Sequence, residues 1–383
     1  MPAKKLCLIC EATEGGVRKH LRGLLRAFSR PEEGIEIHAL FGDRGEPGLR
    51  EELDSLAANQ RAFSYRFIPE LRRAVNPAND IPAYRRIKHH LREIQPDVVH
   101  THSSKAGVLG RHAAQSLGIK NIIHTPHVFP FQWSRGLKEK FYFALESHIA
   151  RGTRTLVCVG ESQREDAFKR GLPGGKLIVV RNGLELNAQL PAANRGALRA
   201  SLNLKPDARV VGMVARLAPQ KGVGCFVQAA RKVLDRRPEV VFVLVGGGPL
   251  EAETRARLAQ LRVPPENFRL LGHREDAQSL FPAFDLVIMS SLYEGLPYVE
   301  LEAMAWGLPI VATDVLGSRD VVVEGQTGYL ARVNDADQIA AHTLVLLDDE
   351  NLRNRFGAAA RARVAEHFSF DAFIEGHRRL YNA

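Results

Sequence analysis

Two doubly wound α/β domains in tandem are predicted from three features of this chain. Its 383 residues exceed the usual domain of about 100–200 and fit two units. Short β-branched runs alternate with amphipathic segments throughout, the pattern of a parallel sheet covered on both faces. The alternation pauses at Pro191-Ala192-Ala193-Asn194-Arg195, which lacks apolar periodicity and reads as part of a hinge, and then restarts.

In the first half, Lys5–Cys10, Ile35–Phe41, Phe63–Ile68, Asp97–Thr101, Asn121–Thr125, Thr155–Val159 and Leu177–Val180 read as strands. Between them Val17–Phe28, Pro82–Ile94, Gly107–Leu117 and Gly136–Ala150 carry apolar residues at helical spacing. After the hinge, Arg209–Ala215, Val240–Val245, Phe268–Leu271, Leu286–Met289 and Ile310–Thr313 read as strands with helices between. Ligands of such sheets sit beyond the carboxyl ends of the strands, so the βα loops are where chemistry is expected.

With 45% hydrophobic and 25% charged residues, the chain is not disordered, collagen-like or a disulfide scaffold. No stretch approaches the roughly 20 apolar residues of a membrane span. The apolar run Leu6–Cys10 is too short for a signal-peptide core of about 7–15 residues, so a cytoplasmic location is expected. Cys7 and Cys10 form a CxxC, but within a strand, where residues three apart face opposite ways, so they read as buried cysteines. The net charge of +10 lies entirely in residues 1–190, which hold 30 Lys+Arg against 20 Asp+Glu. Such an imbalance suits an anionic membrane surface, an acidic substrate, nucleic acid or plain solubility.

The stretch richest in chemistry runs from Ser290 to Pro309. A strand ends at Met289, and Glu294-Gly295-Leu296-Pro297 makes a tight turn into a helix. Pro297 suits the first helical position, and the amides of Tyr298 and Val299 then favour a phosphate. Glu294 precedes the helix and Glu302 lies within it, on the order of 10 Å away by helical rise. That is wider than the roughly 5–9.5 Å of glycosidase carboxylates and suits acceptors for two sugars flanking a phosphate. Glu300, two residues from Glu302, is expected on a different, solvated face.

The Glu294–Glu302 pair in SLYEGLPYVELEAMAWGLPIVATDVLGSRDVV resembles the E-x7-E motif of retaining glycosyltransferases of family 4, which have the GT-B fold. Ala215-Arg216-Leu217-Ala218-Pro219-Gln220-Lys221-Gly222 resembles the family's G-R-L…K-G loop, with Ala215 in place of glycine. Arg216 and Lys221 are two cations on one loop, suited to a diphosphate. Val245-Gly246-Gly247-Gly248-Pro249 resembles the G-x-G-P loop; a dinucleotide fingerprint fails because Glu251 stands at the third glycine. Leu271-Gly272-His273-Arg274 resembles the segment that meets the nucleotide base. In the first half Glu14-Gly15-Gly16-Val17 matches the family's glycine pair, and His124-Thr125-Pro126-His127-Val128-Phe129-Pro130-Phe131 its H-T-x-H-G-F-x-F segment, with Val128 replacing glycine. Asn182-Gly183 matches the turn before the linker.

The resemblance covers nearly the whole chain. It implies an acceptor-side domain of residues 1–187, onto which 368–383 cross back, and a donor-binding domain of residues 188–367, facing each other across a cleft. It implies transfer from a nucleoside diphosphate sugar, by family frequency a UDP-sugar, to an acceptor hydroxyl in bacterial cell-surface glycan synthesis. His127 would reach the transferred sugar, Glu294 would hold that sugar and Glu302 the ribose, with Arg216 and Lys221 on the diphosphate. Gly15, Gly16, Gly246, Gly248, His273, Gly295, Leu296, Pro297, Tyr298 and Val299 would line the donor. No metal is implied. His100-Thr101-His102 suits a metal or strand-end packing, and Asp335-Ala336-Asp337, literally a D-x-D, starts a helix where a cap suffices.

Phe129, Phe131 and Trp133 are the candidates for acceptor contact. With Phe141, Tyr142, Phe143, Lys138 and Lys140 they make an aromatic and basic segment suited to a lipid-linked acceptor or to peripheral contact with the inner membrane face, while Phe141 and Phe143–Leu145 equally suit packing of a helix onto the sheet. Nucleic acid is not expected as a partner. Two rival classes stay open. One is an epimerase or phosphorylase on the same architecture; the other is a non-enzymatic binder of anionic surfaces.

Overall fold

A computed structural model describes residues 3–42, 48–60, 62–186 and 194–383. The chain divides into two compact units, residues 1–182 with 372–383, and residues 183–371.

Unit 1 carries strands β1 (Lys4–Cys10), β2 (Ile35–Gly42), β3 (Phe63–Ile68), β4 (Val98–His102), β5 (Ile122–Thr125), β6 (Thr155–Cys158) and β7 (Leu177–Val179). They form one parallel sheet in the order β3-β2-β1-β4-β5-β6-β7. Its helices are α1 (Gly15–Phe28), α2 (Leu49–Asn59), α3 (Pro77–Ile94), α4 (Ser104–Ser116), α5 (Pro130–Trp133), α6 (Leu137–Ala150) and α7 (Glu161–Lys169). The order reverses direction between β1 and β4, so the loops after these two strands border the switch point where ligands bind in such sheets. The apolar run of β1 is covered on both faces, and Cys7 and Cys10 are buried within it, neither of them in a disulfide. Burial pushes the Cys7 thiol up, which leaves it unreactive.

Unit 2 carries α8 (Arg195–Ser201), β8 (Val210–Val214), α9 (Val223–Leu234), β9 (Val241–Val245), α10 (Glu251–Gln260), β10 (Phe268–Leu270) and β11 (Leu286–Met289). There follow α11 (Tyr298–Ala305), β12 (Ile310–Thr313), α12 (Leu316–Val321), β13 (Gly328–Ala331), α13 (Ala336–Asp348) and α14 (Glu350–His367). This sheet is also parallel, in the order β10-β9-β8-β11-β12-β13, with its switch point between β8 and β11. The core gathers Phe226, Phe242, Ile288, Val311 and Phe356. The last helix, α15 (Phe370–Asn382), returns to unit 1: Tyr381 meets His100 at 2.8 Å, and Lys4 donates to the Tyr381 carbonyl at 2.8 Å.

Several local expectations are refined. Helix α3 starts at Pro77 under an Asn76 cap, with Pro82 inside its opening turns. Strand β13 was not anticipated, because Gly-Tyr-Leu-Ala is short and half-buried in part. Asp335 accepts from the Gln338 amide at 2.9 Å, so this aspartate of the D-x-D caps α13. Of the expected hinge, residues 191–193 lie outside the described residues, and Asn194 caps α8.

Candidate functional site

In unit 2 the loops after β8, β9, β11 and β12 are knitted together at the carboxyl edge of the sheet. The Leu217 amide donates to the Gly247 carbonyl at 2.9 Å, and the Leu292 amide to the Gln220 carbonyl at 2.7 Å. Two glycines make this packing possible. Gly246 has φ +140°, and a Cβ there would stand 1.9 Å from the Ala215 carbonyl oxygen. Gly222 has φ +59°, and its Cβ would meet the Ser290 carbonyl oxygen at 2.0 Å. Gly248 likewise presses on Leu217.

This framework brings Lys221 and Glu294 together. Lys221 Nζ lies 2.5 Å from Glu294 Oε1, which also accepts from Ser291 Oγ at 2.7 Å. Glu294 is buried, and Gly317 packs against the Gly295 carbonyl behind it. Pro297 stands at the cap position of α11, one residue before the expected start, so the opening amides of Tyr298 and Val299 still begin the helix. Such amides lack an acceptor within the helix, and the helix dipole adds positive potential there. Glu302, a turn further on, accepts from Gln278 Nε2 at 2.9 Å. Arg216 and His273 are exposed, and Leu296, Tyr298 and Glu302 are buried. The unit thus offers, at one sheet edge, a helix start, two cations and two held carboxylates. That set can bind an anion and the hydroxyls beside it.

Glu300 departs from expectation. It is fully buried, not solvated, with Oε1 accepting from Ser318 Oγ at 2.6 Å and Oε2 unpartnered. Burial pushes its carboxyl up to about 8. The helical-face argument failed because α11 is covered nearly all round, with only Val299 half-buried.

In unit 1, Gly15 and Gly16 are exposed at the start of α1, and Gly15 adopts φ +58° with open space where a Cβ would be. His127 follows β5 with φ +60°, a backbone conformation that non-glycine residues seldom adopt. Its carbonyl accepts from Gln163 Nε2 at 3.1 Å. Around it stand His20 and His102, with ring centroids 4.8 and 5.6 Å away. Burial holds all three imidazoles below their ordinary value, His20 at about 4. His100, by contrast, is engaged at both nitrogens, by Tyr381 and Thr125. His124 is buried and bonded to Thr101.

Comparison with known proteins decides what this architecture belongs to. Residues 14–188 match the family model described as Glycosyltransferase Family 4, and residues 194–363 match Glycosyl transferases group 1. The chain is 31% identical over 356 residues to the UDP-Gal:alpha-D-GlcNAc-diphosphoundecaprenol alpha-1,3-galactosyltransferase of Escherichia coli, covering 92% of this chain and 90% of that protein. The chain belongs to the group 1, family 4 glycosyltransferases. Bacterial relatives also include the D-inositol 3-phosphate glycosyltransferase of Streptomyces avermitilis, 30% identical over 75% of this chain and 65% of that one. Among solved structures, Anabaena Alr3699/HepE in complex with UDP and glucose superposes with a TM-score of 0.83, at 18% identity, over 99% of this chain and 100% of that one. WaaG, a glycosyltransferase involved in lipopolysaccharide biosynthesis, follows at a TM-score of 0.76 and 17% identity, over 98% and 99%. These place the glycosyltransferase in the GT-B fold.

The structure corrects the acceptor candidates. Phe129 and Phe131 are fully buried, stacked at 4.9 Å within a core that includes Leu156, Cys158 and Leu172. They support α5 and leave no face for a ligand. Trp133 remains partly exposed. Several site residues carried no sequence signal: Gln278, Ser291 and Ser318 orient the three glutamates, and His20 joins His127 only through the fold.

Proposed function

We propose that this enzyme is a retaining glycosyltransferase that moves a sugar from a nucleoside diphosphate sugar, a uridine one first, to an acceptor hydroxyl in bacterial cell-surface glycan assembly. One observation carries the reading: the Lys221–Glu294 pair beside the start of α11, with Glu302 a turn away. In the free protein the ammonium and carboxylate satisfy each other. A donor diphosphate would draw Lys221 and Arg216 onto its oxygens, and Glu294 would then be open to the hydroxyls of the transferred sugar. Glu302 would take the ribose diol, and the segment around His273, with the Gly246–Gly248 loop, would border the base. The cationic Arg216 and Lys221 side chains would stabilise the negative charge that develops on the departing diphosphate, the electrostatic contribution that commonly dominates such reactions.

From unit 1, Gly15 and Gly16 are proposed for the donor phosphate, and His127 for the sugar. Glu294 is held by a lysine and a serine, an arrangement suited to accepting hydroxyls and not to attacking carbon. This supports a same-face departure and attack. The Escherichia coli relative's diphosphoundecaprenol-linked substrate favours a lipid-linked acceptor here as well. Trp133, Leu137 and Phe141 support contact with a membrane surface, since they are 42%, 85% and 63% exposed and lie among Arg135, Lys138 and Lys140. The test is a panel of UDP- and GDP-sugars with a short diphospholipid-linked sugar as acceptor, the product read by NMR. An α-linked product from one UDP-α-sugar is expected. A β-linked product would overturn retention, and turnover of the sugar nucleotide without acceptor would favour an epimerase.

A further inference from the structure

The histidines of unit 1 form a group that the donor reading does not use as a whole. We propose that His20, His102 and His127 make a binding site for a zinc-like divalent transition-metal ion. One ring nitrogen from each lies within 4.8 Å of the other two. Two tetrahedral Zn–N bonds of about 2.0–2.1 Å set their nitrogens roughly 3.3 Å apart, so small ring rotations close the site.

The bonding of these rings is what a ligand set requires. His20 Nδ1–H donates to Asn182 Oδ1 at 2.9 Å, which fixes the tautomer and leaves the lone pair on Nε2. That Nε2 is buried and has no partner. His127 Nε2 is likewise buried without a partner, and His102 has none at either nitrogen. A buried imidazole with both nitrogens unsatisfied is costly, and a metal ion answers that cost directly.

Position agrees with bonding. His20 rides on α1, His102 ends β4, and His127 follows β5, so three ordered elements hold the three rings. His127 is half-buried, which gives the ion a route in and a place for water as fourth ligand. An all-imidazole set favours zinc, copper, nickel or cobalt over magnesium, which prefers oxygen. The neighbouring His100 is excluded as a ligand because both its nitrogens are engaged. In the donor reading Arg216 and Lys221 supply the positive charge and His127 meets the sugar, so the two readings share His127 alone; Co2+ binding without UDP binding, or the reverse, tells their failures apart.

The test uses the untagged, chelator-treated full chain titrated with Co2+ and followed by visible absorption, with Zn2+ as competitor. One Co2+ per chain is expected, with the intense bands of a four- or five-coordinate site, displaced by one Zn2+. His102→Ala and His102→Gln should each abolish the bands, with circular dichroism confirming the fold. Asn182→Ala should weaken binding about 10–100-fold by releasing the His20 ring. His90→Ala, in the exposed group His89, His90 and Glu93, should change nothing. Absence of stoichiometric Co2+ binding to the wild-type chain would overturn the proposal. So would bands that survive in folded His102→Gln or disappear in His90→Ala.

Discussion

Glu300 is the residue whose environment makes the sharpest statement about pH. Its carboxyl titrates near 8 in the folded chain, against an ordinary value of 4.5, because burial disfavours the charge. Between those values the folded state keeps a proton that the unfolded state has released. Stability from this group is therefore full below about 4.5 and is lost as pH rises through about 8. Glu300→Gln keeps a partner for Ser318 and removes the charge. Urea unfolding at pH 5, 7 and 8.5 should show the wild type falling relative to the variant across that range. Parallel profiles would contradict the assignment. The sequence marked Glu294, Glu302 and Lys221 by motif but did not reveal the bond between Lys221 and Glu294, because 73 residues separate them. Glu300 was misread for a related reason: periodicity gives a face, and only the fold says whether that face meets solvent.

At the scale of elements, the site depends on loops that touch backbone to backbone. Gly246→Ala must place a Cβ against the Ala215 carbonyl and strain a positive φ. We expect a loss of about 1–3 kcal/mol, as for overpacked sites, seen as a lower urea midpoint. Gly175→Ala, where a Cβ meets nothing within 4 Å, should stay within about 0.5 kcal/mol of the wild type. Equal effects would mean that the loop contact contributes nothing. These glycines were visible in sequence as Val-Gly-Gly-Gly-Pro, yet the reason for them lies in the neighbouring β8 loop. Strands such as β11 and β12 were legible because they are short, apolar and followed by turns. Strand β13, with Gly and Tyr in four residues, was not. Along the aromatic run the sequence favoured Phe129 and Phe131 for acceptor contact and left Phe141 between a surface and a packing role, whereas the fold turns Phe129 and Phe131 inward and Phe141 outward.

For the whole molecule, the alternation of strand and helix made both doubly wound sheets legible, since a parallel sheet must be covered on two faces. Charge was legible too, all of the net +10 lying in residues 1–190. Among the described residues no helix is long and apolar enough to cross a membrane. The exposed Leu137 and Phe141 with their neighbouring lysines predict sedimentation with anionic vesicles that weakens with salt and drops in Leu137→Ser/Phe141→Ser. Equal sedimentation of that variant would remove the surface from the account.

The central claim is that unit 2 holds a uridine diphosphate on Lys221 beside α11. Calorimetric titration of the intact chain with UDP and with GDP, in EDTA, tests it most directly, alongside Lys221→Ala. One UDP per chain should bind, GDP at least about tenfold more weakly. Loss of a charge-assisted bond of about 1.5–3 kcal/mol should weaken UDP by roughly 10–100-fold in the variant. Failure of UDP to bind, or equal affinity in Lys221→Ala, would contradict the account.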